Sequence, residues 1–130
     1  MVNENQWLTR ANTILVVEDD PDTREALCES LKLCGHSITC AANGLSALDE
    51  IRTWRVPPAL ILLDLSMPVM DGESFLREVR KDISIKKVPI IVTTGDLCAH
   101  PPGADAILTK PLKLETLIST VRRFVKPPET

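Results

Sequence analysis

The chain lacks the marks of several protein classes. No apolar run in its 130 residues approaches the roughly 18 to 20 that would cross a bilayer. The first eleven residues, Met1 to Ala11, are polar and hold no apolar signal-peptide core. These two absences predict a cytoplasmic protein with no membrane insertion. There is no excess of positive charge either: the formal net charge is −3. A basic face is what nucleic acid requires, so direct nucleic-acid binding is not expected. Cys28, Cys34, Cys40 and Cys98 show no CxxC spacing, and the two histidines do not complete a zinc site. Cysteines in or beside apolar stretches are expected to serve as small buried hydrophobes, with Cys98 in a loop as the one candidate for an exposed thiol. Internal repeats and low-complexity tracts are absent, and so is tyrosine.

What is present is an ordinary globular composition, 44% apolar and 25% charged. A chain of this length fits one domain and buries enough surface to need no staples. The reading is a leader over 1–11, a domain over 12–126 and a tail over 127–130, with Trp7 as a leader residue able to dock on the domain.

Five short apolar runs cross the domain: Ile14–Val17, Ser37–Ala41, Leu60–Leu63, Ile90–Thr94 and Ala106–Leu108. The first, third and fourth are apolar throughout. Strands of that kind are buried on both faces, as in a parallel sheet covered by helices. Helical periodicity fills three of the gaps and the end of the chain. Leu27, Ser30, Leu31 and Cys34 share a face after Asp20-Pro21-Asp22, where Asp20 or Asp22 suits an N-cap and Gly35 a C-terminal stop. Leu45, Leu48 and Ile51 line a second helix. Phe75, Leu76 and Val79 line a third. Leu114, Leu117, Ile118, Val121 and Val125 line the last. Only Gly95 to Ala104 joins the fourth and fifth strands, and Pro101-Pro102-Gly103 within it predicts a loop or a single turn.

Each acidic candidate follows an apolar strand. Glu18-Asp19-Asp20 follow the first, Asp64 follows the third, Thr94 ends the fourth and Lys110-Pro111 end the fifth. In a parallel sheet all these ends lie on one edge, where ligands bind. Clustered carboxylates repel, so Lys110 and a hard cation such as Mg²⁺ are expected to neutralise them. A carboxylate beside both is a nucleophile toward phosphorus. The Thr94 hydroxyl is placed to donate to a phosphoryl oxygen.

At this point the motifs resemble those of response-regulator receiver domains. Ile14-Leu15-Val16-Val17-Glu18-Asp19-Asp20 is similar to the family's acidic motif. Leu63-Asp64-Leu65-Ser66-Met67-Pro68-Val69-Met70-Asp71-Gly72 resembles its phosphoacceptor motif almost position for position. Pro89 to Thr94 and Thr109-Lys110-Pro111 complete the set, over about residues 12 to 126. The resemblance implies an α/β, flavodoxin-like doubly wound sheet of five parallel strands in order 2-1-3-4-5, with the fourth helix here shortened or replaced by a loop. It implies Asp64 as phosphoacceptor, with Thr94 as switch hydroxyl and Lys110 as partner of the phosphoryl group. Mg²⁺ would be held by the carboxylates of Asp19 and Asp64, the backbone carbonyl of Ser66 and, through water, Glu18. A cis Lys110–Pro111 bond is implied too, as is a role for Gly72 in shaping the loop beside the acceptor. Ser66 and Asp96 fall where the family admits water.

The implied donor is a sensor histidine kinase or a histidine phosphotransfer domain, and room remains for a downstream protein target. The chain would act as a stand-alone regulator, a relay intermediate or an excised receiver, assisting its own phosphorylation without being a turnover enzyme. A Mg²⁺-dependent phosphatase of similar architecture is disfavoured, because Ser66 stands where the acid/base Asp of such enzymes would be. The alternative is a degenerate receiver used as an interaction scaffold. Ile107 occupies the position where many receivers carry the aromatic that moves with the switch hydroxyl, so the usual output route is in doubt.

Overall fold

The computed structural model describes residues 12–67 and 69–126. The leader, with its Trp7, the tail and Pro68 lie outside the described residues. Five strands, β1 (Thr13–Val17), β2 (Ser37–Ala41), β3 (Leu60–Asp64), β4 (Ile90–Thr94) and β5 (Ala106–Thr109), form one parallel sheet in the order β2-β1-β3-β4-β5. Four helices accompany them: α1 (Pro21–Leu33), α2 (Gly44–Arg52), α3 (Gly72–Lys81) and α4 (Leu114–Arg122). This is the doubly wound arrangement expected from the sequence.

The strands follow the hydrophobic runs because those runs must be dry on both faces. Every residue of β1, β3 and β4 is buried, whereas β2 and β5, at the edges, are only partly so. Side chains alternate across the pleat. Ile14, Val16, Leu60 and Leu62 meet Leu31 of α1 and Leu117 and Val121 of α4 on one side. Leu15, Val17, Ile61 and Leu63 meet Leu48 and Ile51 of α2 and Phe75, Leu76 and Val79 of α3 on the other. Two expected core positions differ. Leu45 and Leu114 are exposed, and the buried stripe of α2 runs through Gly44, Ala47, Leu48 and Ile51 instead.

Three helices start on side-chain caps. Asp20 accepts from the Thr23 amide at 2.9 Å, Asn43 from Ser46 at 2.8 Å and Asp71 from Ser74 at 2.7 Å. Pro21, whose missing amide would be unpaired there anyway, opens α1.

Among the described residues no helix lies between β4 and β5; the connection is a loop with turns at Leu97–Cys98 and Pro102–Gly103. Arg80 of α3 ties the end of this loop to the segment before β4. That guanidinium donates to the carbonyls of Gly103 (2.6 Å), Lys86 (2.8 Å) and Val88 (2.7 Å) and to Asp105 (2.9 Å). Asp105 in turn accepts from the amide of Ile90 at 2.8 Å. The Gly103 carbonyl, inside the connection, is thus satisfied by a side chain from another element. The Lys110–Pro111 peptide is cis.

The cysteines depart from expectation. Cys28 of α1 and Cys40 of β2 are joined by a disulfide. The sequence offered no sign of this, because only the packing of α1 on the sheet brings two residues twelve apart together. Cys98 is exposed, as expected, and Cys34 is partly buried.

Candidate functional site

The C-terminal edge of the sheet gathers the acidic residues. Glu18 follows β1 directly, and its amide donates to the Ala41 carbonyl at the end of β2. Asp64 is the last residue of β3, and its register partner on β4 is Thr93. Thr94 closes β4, and its carbonyl accepts from the Lys110 amide at 2.7 Å. These pairings, with Val17 in register beside Leu63, hold the ends of the five strands level, which is why motifs so distant in sequence converge.

Carboxylate oxygens of Glu18, Asp19 and Asp64 lie within 4.8 Å of one another. Glu18 is 3% exposed and Asp64 is 4% exposed. Lys110 Nζ stands 3.1 Å from Asp64 Oδ1 and 3.8 Å from Glu18 Oε1. Asp64 Oδ1 also accepts from the Ser66 amide at 3.2 Å. Glu18 Oε2 is buried and has no hydrogen-bond partner among the described residues. Lys110 therefore pairs with two of the three carboxylates, and one buried oxygen is orphaned among the described residues.

The electrostatics follow. Burial, reinforced by the neighbouring Asp64, pushes the Glu18 carboxyl up to about 8. Burial also works against the charge on Asp64. There, hydrogen bonding from Glu18, Lys110 and the Ser66 amide outweighs it and holds that carboxyl below its ordinary value. Two carboxylates this close do not both ionise readily. A donor set made only of oxygens, with surplus negative charge and an unpartnered buried oxygen, fits a hard divalent cation.

Thr94 is 2% exposed, and its hydroxyl oxygen accepts from the Asp96 amide at 3.0 Å. The Asp96 carboxylate is itself engaged, accepting from the Cys98 amide at 2.9 Å. A cleft of about 610 Å³ runs past Ser66, Asp71, Glu73, Thr94 and Asp96. A second groove, about 540 Å³, lies between α1 and the segment after β5, lined by Asp22, Ala26, Leu27, Lys110, Leu112 and Leu114.

One contributor beside the site, Arg24, was not singled out for it in the sequence, whereas Gly72 was expected to shape the loop beside the acceptor and lies against it. Arg24, one turn into α1, donates to the carbonyls of Glu18 (2.9 Å) and Asp19 (3.4 Å) and steadies the acidic turn. Its place four residues after Asp20 was the available signal. Gly72 presses against the acceptor loop. A Cβ there would stand 2.6 Å from Leu65 Cα and 2.8 Å from the Asp64 carbonyl. Its amide donates to Leu65 at 2.9 Å.

Residues 14–122 match the family model of the response regulator receiver domain. The chain belongs to that family. This receiver is 36% identical over 119 residues to the response regulator MprA of Mycobacterium avium, covering 87% of this chain and 50% of MprA. It thus spans about half the length of that relative. Its fold matches the receiver domain of sensor histidine kinase PA1611 from Pseudomonas aeruginosa, a structure with a magnesium ion coordinated in the active-site cleft. The TM-score is 0.79 at 30% identity, covering 88% of this chain and 97% of the other. The response regulator TrrA of Thermotoga maritima, solved in complex with Mg²⁺ and BeF, matches with a TM-score of 0.78 at 30% identity, over 88% and 99% of the two chains. The receiver is accordingly a domain of two-component signalling, and its acidic cluster lies at the C-terminal sheet edge. Among the described residues no helix is long and apolar enough to cross a membrane.

Proposed function

We propose that this receiver takes a phosphoryl group from a phosphohistidine onto Asp64. One observation carries the reading: Asp64 is buried and paired with Lys110 at 3.1 Å inside a cluster that fits a cation. Oδ1 accepts from Lys110 and the Ser66 amide; Oδ2 carries neither contact and is the nucleophile. A bond forms from Oδ2 to phosphorus as the bond from phosphorus to the donor imidazole breaks. Lys110 and the Thr94 hydroxyl then bind the phosphoryl oxygens. While its oxygen accepts from the Asp96 amide, the Thr94 hydroxyl keeps its own proton to donate to the phosphoryl group.

The metal residues would be Asp19 and Asp64 through carboxylates, Ser66 through its carbonyl and Glu18 through water. Mg²⁺, when bound, supplies charge neutralisation of the transferring phosphoryl group.

The groove between α1 and the segment after β5 opens beside Glu18 and Lys110 and offers apolar Ala26, Leu27, Leu112 and Leu114 beside Asp22. It suits a helical donor, either a sensor histidine kinase or a histidine phosphotransfer domain, in the cytoplasm. Acceptance is stoichiometric, not turnover: at Ser66 a hydroxyl stands where an acid/base carboxyl would drive hydrolysis.

The test is Mg²⁺-dependent labelling by a small phosphodonor, followed by intact mass. Asp64→Asn is expected to abolish it. Labelling that persists in Asp64→Ala would overturn the assignment.

A further inference from the structure

The disulfide is foreign to the role just described. It joins Cys28, in the second half of α1, to Cys40, on the edge strand β2. The two ends differ in setting. Cys28 is 6% exposed and belongs to the core cluster with Ile14, Val16 and Leu31. Cys40 is exposed, on a strand that pairs on one side only. An exposed residue at one end and a packed one at the other leave the bond open to attack at the Cys40 end. Once released, the Cys28 thiol remains a small hydrophobe suited to the same place. The fold is therefore compatible with both covalent states.

The bond is also not a staple that this domain needs. Two continuous core layers already flank the sheet, and a chain of this length buries enough surface without cross-links. In a reducing compartment, disulfides are usually transient or redox-sensing.

We propose that Cys28 and Cys40 form an exchangeable thiol–disulfide pair that fastens α1 to β2 under oxidising conditions and releases it under reducing ones. Closure consumes a disulfide of the glutathione class. The two thiols give up two protons and two electrons, one S–S bond forms, and the oxidant's S–S bond is cleaved to two thiols. Opening runs through a dithiol whose thiolate attacks Cys40 Sγ and expels the Cys28 thiolate. The dithiol's second sulfur then resolves the mixed disulfide, and Cys40 leaves as a thiol.

What the fastener controls follows from its position on α1. Cys28 stands four residues after Arg24, on the same stripe of the helix. Arg24 holds the carbonyls of Glu18 and Asp19. Asp22, Ala26 and Leu27 of the same helix line the groove beside Lys110. A helix tied to β2 presents both features at a fixed distance from the sheet edge. A released helix is held by packing alone.

The experiment uses the full chain. Folded protein is equilibrated in glutathione buffers of stepped ratio, quenched in acid, denatured, alkylated and weighed. The expected result is two labels per chain at the oxidising end and four at the reducing end, joined by one transition. Cys40→Ser, a change at an exposed position, is expected to take three labels throughout. The opened form should unfold about 100-fold more readily at equilibrium, the loop-closure value for a loop of this size. Its amides in α1 and β2 should exchange faster with solvent while those of β3 and β4 stay unchanged. Four labels at the most oxidising ratio, or two under excess dithiol in the folded state, would overturn the proposal. So would equal exchange in α1 and β2 of the two forms.

Discussion

Replacing Gly72 with alanine adds one methyl group where the backbone of the acceptor loop already lies. The new Cβ would be 2.6 Å from Leu65 Cα, 2.8 Å from the Asp64 carbonyl oxygen and 2.9 Å from that of Leu65. All three atoms are backbone, so no side chain can swing aside. Separation to ordinary contact needs a shift of about 1 Å in either α3 or the segment after β3. Overpacking of this kind costs about 1–3 kcal/mol. With a urea slope of about 1–3 kcal/mol/M, the midpoint should fall by roughly 1 M at an unchanged slope. The other glycines rank the cost. At Gly44 the added carbon would meet Met70 Cβ, Cγ and carbonyl at 3.1 Å, where partial side-chain relief is available. At Gly95 it would meet nothing within 4 Å. Gly95→Ala is expected to be neutral, or stabilising by up to about 1 kcal/mol through the unfolded chain. Because the displaced atoms flank Asp64, Gly72→Ala should also slow labelling by a small phosphodonor, whereas Gly95→Ala should unfold no more easily than the parent. A Gly72→Ala midpoint equal to that of the parent would refute the packing argument.

Three further outcomes are expected. Lys110→Ala removes the one ammonium at 3.1 Å from Asp64 and should slow small-donor labelling about 100-fold; an unchanged rate in stopped assays would contradict its placement. Glu18 carries a folded-state value near 8, above its ordinary 4.5. Its contribution to metal-free stability is therefore fully present below pH 4.5 and lost as pH rises toward 8. Mg²⁺ needs the ionised form, so the rise in melting temperature on adding Mg²⁺ should be larger at pH 8 than at pH 6, and the reverse order would refute this. Arg80→Ala leaves the carbonyls of Lys86, Val88 and Gly103 without their donor. It should cost about 2 kcal/mol and expose the segment between β4 and β5 to limited proteolysis, and an unchanged cleavage pattern would remove Arg80 from that role.

The strands were legible because dryness on two faces leaves an uninterrupted apolar run, as in Ile14–Val17 and Leu60–Leu63. The site was legible for a related reason: parallel strands end together, so Glu18, Asp64, Thr94 and Lys110 had to meet. Helix faces were less certain. In the nine-residue α2 a leucine at position 45 lies beside the buried stripe, and Ala47 takes its place. The disulfide and Arg80 were not legible at all. Cys28 and Cys40 carry no spacing signal, and sequence alone does not set connectivity. Arg80 reads as one more basic residue in the last turn of a helix, where such residues favour the dipole. Three of its four targets are carbonyls, which every sequence has.

Arg80 also bears on how this domain can be taken apart and recombined. A helix carries its own hydrogen bonds with it, so it is portable between related scaffolds. The connection from β4 to β5 is not, because the partner of its Gly103 carbonyl and Asp105 carboxylate is lodged in a different element. Transplanting residues 95–105 into another receiver would move the rope without the cleat. The transferable unit is instead Arg80, Gly103 and Asp105 together, three residues that a splice of the connection alone does not contain. A chimaera designer, or a lineage exchanging segments by recombination, would meet the same boundary.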